Sequence, residues 1–215
     1  MKQLRLLIML LAALLPLALG AQTQKATEVL DRAASAIKQS SGLQASFTLK
    51  DGISDARQTQ TYEGTLTCRQ QKFVVDLPQA RTWFDGTTQW SYLKANGEVS
   101  VTTPTAEEIA SINPLALLDL YKHGYRLSYK GSRTVDDQKV DEVEMVADND
   151  KTAWRKIFVR LNAQTSMPVS VVIRDKNGRT AEVSFTKIKQ GLNLTDSDFV
   201  FNKADYPGVE VIDLR

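Results

Sequence analysis

The chain has 215 residues, with 27 Lys and Arg against 25 Asp and Glu, one histidine and one cysteine. A net charge of only +2 excludes nucleic acid or an anionic membrane as a partner attracted by charge alone, and one cysteine excludes an internal disulfide.

The opening residues read as a cleaved secretory signal spanning 1–21. Lys2 and Arg5 form a basic start, Leu6 to Leu15 an apolar core, and Ala18, Gly20 and Ala21 the small residues a signal peptidase reads. Pro16 and Gly20 stop the run short of the ~20 apolar residues a spanning helix needs. No cysteine follows to carry a lipid anchor. Without Lys2 and Arg5 the chain balances 25 basic against 25 acidic residues. The remainder, 22–215, is expected to be a single exported, soluble domain, large enough to hide about 70% of its unfolded surface.

From Thr23 to Ser40 the pattern is an amphipathic helix, with Ala26, Val29, Leu30, Ala33 and Ile37 on one face and Gly42 placed to end it. The period then changes to two. Phe47 and Leu49 lead a first strand. A second starts near Arg57 and carries Tyr62, Leu66 and Cys68, and a third carries Phe73 and Val75. Asp85-Gly86, Asn96-Gly97 and Asn177-Gly178 are hairpin turns. Trp90 and Tyr92 share one strand face, and Val99 and Val101 point inward from the next.

Pro104 to Tyr121 breaks the alternation. Ile109, Ile112, Leu115 and Leu118 recur at steps of three and gather on one stripe. Asn113 before Pro114 reads as a helix start, so the passage is two short helices with a joint between Ser111 and Asn113. Alternation then resumes through Tyr125, Met145, Ile157, Val171 and Val183. Roughly ten strands joined by tight turns form an antiparallel meander, and the fold class is mainly β with helices.

Residues for catalysis are scarce. His123 sits at a helix end, where a polar side chain is favoured, and Cys68 reads as a small buried hydrophobe. No metal-ligand spacing is present. The acidic residues from Asp136 to Asp150 lack the glycine and terminal glutamate of a calcium loop and read as hairpin caps. No enzyme activity and no cofactor are expected. The inward set of Phe47, Leu66, Phe73, Trp90, Tyr92, Val101 and Met145 is either a packed core or the wall of an apolar cavity under too few helices.

The passage from Asp85-Gly86 through Trp90 and Tyr92 to Asn113-Pro114-Leu115 resembles the central block of the LolA family of periplasmic outer-membrane lipoprotein carriers. So do Ser46-Phe47-Thr48 after an opening helix, and Phe199-Val-Phe201 followed by Pro207-Gly208-Val209. The resemblance implies an incomplete antiparallel β-barrel that encloses lipoprotein acyl chains. On that reading the cavity set above binds lipid, and Ile109, Ile112, Leu115 and Leu118 belong to a lid. Family members latch the lid with an arginine followed by proline. Here Arg69 stands nearby without the proline and is the candidate latch. The implied partners are lipoproteins, the inner-membrane lipoprotein-releasing ABC transporter and an outer-membrane receptor, with the carrier acting as a periplasmic monomer. The alternative within the fold is a periplasmic lipid-binding or envelope-stress sensor domain.

Overall fold

The computed structural model describes residues 2–53, 59–122, 124–149 and 152–215, and side chains from Gly20 onward except that of residue 53. The expected strand start near Arg57, and His123 and Asp150, lie outside the described residues. One helix, α1 (Lys2–Gln39), precedes a first meander of β1 (Leu43–Ile53), β2 (Thr59–Arg69), β3 (Lys72–Asp76), β4 (Ala80–Phe84), β5 (Gln89–Leu93) and β6 (Glu98–Thr102). Helices α2 (Ala106–Ile112) and α3 (Leu117–Leu120) lead to a second meander of β7 (Tyr125–Val135), β8 (Gln138–Ala147), β9 (Trp154–Asn162), β10 (Pro168–Asp175) and β11 (Arg179–Gln190). Two 3-10 turns and β12 (Glu210–Asp213) close the chain.

All twelve strands belong to one sheet in the order β12-β6-β5-β4-β3-β2-β1-β11-β10-β9-β8-β7. The two meanders join where β1 pairs with β11, and β12 alone pairs in parallel, with β6. The end strands β12 and β7 do not meet, so the sheet is an incomplete β-barrel. This topology explains the helical interruption: β6 and β7 follow one another in sequence but lie at opposite sides of the sheet. The chain between them must cross the open side, and it does so as α2 and α3.

Register decides what faces inward. Leu49 lies opposite Val183, which lies opposite Val171, then Val159, Val143 and Tyr129, so one row of apolar side chains runs across six strands. Side chains alternate between faces, which sends Leu66, Cys68, Phe73, Val75 and Phe84 to the same inner face. The α1 stripe of Ala26, Val29, Leu30 and Ala33, spaced for one helical face, is buried against it.

The outer face is of two kinds. Under β7 to β9 it is charged: Glu142 pairs with Arg133 (2.7 Å) and Arg160 (2.9 Å), and Glu144 with Lys130 (2.8 Å) and Lys156. Under β3 to β6 it is apolar, and the C-terminal segment covers it. Val74, Trp83 and Val99 pack there against Phe199, Phe201 and Val209. Gly42, expected to end the first helix, serves this covering instead. A Cβ there would stand 2.6 Å from the Leu192 carbonyl oxygen, so only glycine lets the C-terminal segment pass.

Candidate functional site

The crossing helices are fixed by local chemistry. Thr105 caps α2: its Oγ1 accepts from the Glu108 backbone N–H (3.3 Å), while the Glu108 carboxylate accepts from the Thr105 N–H (2.7 Å). The Thr105 backbone N–H and then its hydroxyl, both donating to the carboxylate, hold the Glu108 carboxyl below its ordinary pKa, and Glu107 and Glu108 sit where the helix dipole favours negative charge. Helix α2 stops at Asn113, whose Oδ1 accepts from the Leu115 N–H at 3.0 Å, and Pro114 follows. The joint expected between Ser111 and Asn113 falls later, over 113–116: Asn113 ends α2 instead of opening the next helix, and α3 starts at Leu117 with Ala116 as its cap.

Two cavities flank the crossing. The first, about 430 Å³, lies between α1 and the crossing helices, with Ala34, Ile37, Cys68 and Phe84 facing Ile109, Leu115 and Leu118. The second, about 440 Å³, lies between the sheet and the joint, with Phe47, Leu49, Val75, Ile173 and Val183 beneath Ile112 and Pro114. A larger open groove of about 760 Å³ follows the polar side of α1 past Glu28, Asp31 and Arg32. It is an open surface trough whose lining residues, Ala36 excepted, are polar or charged. Burial pushes the Cys68 thiol up to about 12, so this wall of the first cavity stays uncharged at neutral pH.

The attachment of the crossing helices differs from expectation. Arg69 follows Cys68 by one residue, so strand alternation turns it to the outer face. There its guanidinium bonds the Leu194 carbonyl and the Asp196 carboxylate and lies 5.6 Å from the Phe199 ring centroid. Lys72 joins Asp196 at 2.8 Å. Arg69 therefore clamps the C-terminal segment, and none of its hydrogen bonds or ion pairs among the described residues reaches α2 or α3. The crossing segment is tied to α1 instead: the Tyr121 hydroxyl donates to Asp31, and Lys38 pairs with Asp119 at 2.9 Å. Burial, then the bond to Asp31 and its charge, raise the Tyr121 phenol well above its ordinary value.

The seven residues proposed for a cavity wall divide three ways. Phe47 lines the second cavity. Leu66, Phe73 and Met145 are fully buried in the main cluster and are not cavity-lining. Trp90, Tyr92 and Val101 belong to the other face, because Trp90 lies opposite Trp83 and Val101, and Tyr92 opposite Val99. Trp90 and Tyr92 pack with the outer cluster, where Tyr92 meets Tyr206 at 5.1 Å between centroids. All four lid residues border cavities, Ile109, Leu115 and Leu118 the first and Ile112 the second. Sequence reasoning missed Leu49, Val75, Ile173 and Val183 as wall residues; their period-two spacing with Phe47, Phe73, Val171 and Phe185 is the signal that could have found them.

The family described as outer membrane lipoprotein carrier protein LolA matches residues 17–178. No curated protein gives a significant match. Among solved structures, an uncharacterized conserved protein from Thermus thermophilus is 14% identical, covers 88% of this chain and 99% of its own, and has a TM-score of 0.61. A DUF1329 family protein from Desulfovibrio piger is 11% identical, with 83% and 97% coverage and a TM-score of 0.51. These likenesses establish the fold. With the family match running through α1, both crossing helices and the strands to β10, the chain belongs to the LolA family.

Proposed function

We propose that this protein is a periplasmic carrier that takes lipoproteins from the inner membrane and delivers them to the outer membrane, holding their acyl chains under α2 and α3. The observation that carries the reading is the pair of apolar cavities on either side of the lid. Each falls within the ~300–1,000 Å³ of ligand pockets, and both are bordered by the segment that topology forces across the open side. In this reading residues 1–21 are a signal removed on export, and 22–215 work as one monomeric domain. The donor is an inner-membrane lipoprotein-releasing ABC transporter and the acceptor an outer-membrane receptor.

Magnitude shapes the mechanism. One chain of ~15 methylenes at about 0.8 kcal/mol each is worth roughly 12 kcal/mol when fully buried, and three would pass the ceiling of ~18–21 kcal/mol for non-covalent binding. A carrier has to let go, so part of that gain must be offset. The lid is suited to do so. Helix α3 is tied to α1 by Tyr121 and Asp119, whereas the side-chain bonds of α2 stay within its own capping box and last turn. Among the described residues no side-chain hydrogen bond ties α2 to another element, so swinging it about Asn113 would cost mainly apolar contacts.

The test replaces Ile109 and Ile112, both half-buried at cavity walls, with aspartate and measures lipoprotein release from inner-membrane vesicles. Release is expected to fall at least about tenfold, since two charges would have to be desolvated beside the chains, while circular dichroism stays unchanged. Undiminished release by the folded variant contradicts the carrier reading.

A further inference from the structure

The first cavity meets solvent at a ring of exposed lining residues: Lys38 from α1, Gln70 and Gln71 from the turn between β2 and β3, Gly86 from the turn between β4 and β5, and Ala106 and Asp119 from the crossing helices. Deeper in, the wall is Ile37, Phe84, Ile109 and Leu118, so this mouth is where the polar part of an amphiphile would stand. Of the lining residues only Lys38 and Asp119 are charged, and they neutralise each other at 2.9 Å. What the ring still offers a ligand is two carboxamides. No hydrogen bond or ion pair engages the Gln70 or Gln71 side chain among the described residues.

The backbone is strained to place them there. Arg69 pairs with Lys72, so the turn has two residues, and Gln70 stands in it at φ 57. That left-handed region is costly for a long side chain, and glycine, asparagine and aspartate are the residues such turns favour. Elsewhere the chain follows the rule. The two-residue turn between β7 and β8, which lines neither cavity, has Asp136 and Asp137 at φ 47 and 61. A strained turn that departs from turn chemistry, and two unengaged amides at the mouth of an apolar cavity, together point to a role outside the turn.

We infer that Gln70 and Gln71 are specificity-determining residues that hydrogen-bond the main chain of an acylated peptide where it leaves the first cavity. The inference rests on the acyl-chain reading of that cavity. The chemistry of the mouth selects the occupant. A carboxamide presents a donor and an acceptor side by side, which matches a peptide group. A phospholipid head presents an anionic phosphate, whose oxygens only accept and are best met by an unpaired cation. The one cation among the lining residues, Lys38, is already held by Asp119, so the peptide is the better match.

The double variant Gln70→Gly, Gln71→Ser removes both amides and installs a pair suited to a two-residue turn. Its Tm is expected to rise by about 2 °C as the left-handed strain is released. Its affinity for a triacylated lipopeptide, read on the mature protein by displacement of an uncharged solvatochromic dye, is expected to fall about tenfold. The preference for that lipopeptide over a diacyl phospholipid of equal chain length should shrink with it. The sharper readout is a set of lipopeptides in which one backbone amide at a time, counted from the acylated residue, is replaced by an ester. Wild-type protein should bind one of these about fivefold more weakly than the parent, the worth of one hydrogen bond, and the variant should bind that analogue and the parent alike. An ester penalty that survives in the variant, equal losses for lipopeptide and phospholipid, undiminished lipopeptide affinity or a lowered Tm each overturns the role of Gln70 and Gln71 and leaves the acyl cavity standing. A lipopeptide that displaces no dye from the wild-type protein overturns the cavity reading as well.

Discussion

One sheet presents two apolar faces to two different covers. On the outside of β3 to β6 the cover is the C-terminal segment, and rings meet closely: Trp83 lies 5.5 Å from Phe201 and 5.6 Å from Tyr206, both edge to face. On the inside the cover is α1 with the two crossing helices, and two cavities of about 430 and 440 Å³ remain. The outer cluster packs like an ordinary protein interior. The inner one joins a solid floor of Leu66, Phe73 and Met145 to walls that face empty space. Apolar composition is the same in kind on both sides, so the difference comes from how well the covering element fits. Function is assigned to the poorer fit.

The largest expected effect breaks the comparison if it fails. Phe199 is fully buried in the outer cluster, and Phe199→Ala should cost about 3–5 kcal/mol by urea unfolding. Ile112→Ala, at a wall that already borders a cavity, should cost only about 1 kcal/mol because little packing is lost there. It should nevertheless alter acyl-ligand affinity, which Phe199→Ala should not. Equal destabilisation by the two would mean that the cavities are closed in solution.

A middle-sized effect concerns the tie between lid and α1. Tyr121→Phe removes the hydroxyl that bonds Asp31 and should cost about 1 kcal/mol, with faster amide exchange across α2 and α3 and none at the C-terminal segment. Arg69→Ala should give the reverse pattern, loosening residues 192–199 and sparing the lid.

Acid supplies the smallest effect. The bond from Lys72, with Arg69 beside it, holds the Asp196 carboxyl below its ordinary value. A depressed carboxylate contributes stability that is complete above the unfolded value near 4 and is lost as pH falls through the lowered folded value. Exchange at 192–199 should therefore rise selectively below about pH 4, and high salt should mimic it because the pair is exposed. No change on acidification would remove the clamp from the account.

Much of this arrangement was legible in sequence, and the failures have a common physical source. Period-two spacing identifies which residues of a strand share a face, so Phe47 and Leu49 were read together correctly. It does not say which face is inside when both are apolar. Trp90, Tyr92 and Val101 went to the wrong side because their cover, Phe199 to Val209, arrives a hundred residues later. Arg69 follows the inward Cys68 by one position, enough in a strand to turn it to the outer face. The crossing helices were readable because their signals, the stripe of Ile109, Ile112, Leu115 and Leu118 and the Asn113-Pro114 break, are local. Their ties through Asp31 and Lys38 were not, because exposed polar residues on α1 carry no mark of a distant partner.

The central claim is that acyl chains enter the inner cavities beneath the lid. A triacylated lipopeptide bearing a photoreactive diazirine within its chains tests it directly, by irradiation of its complex with the mature protein and mapping of the attached peptides. Attachment at Phe47, Leu49, Ile112, Ile173 or Val183 is predicted, while attachment at Trp90, Tyr92 or Val200, or none above background, would contradict the account.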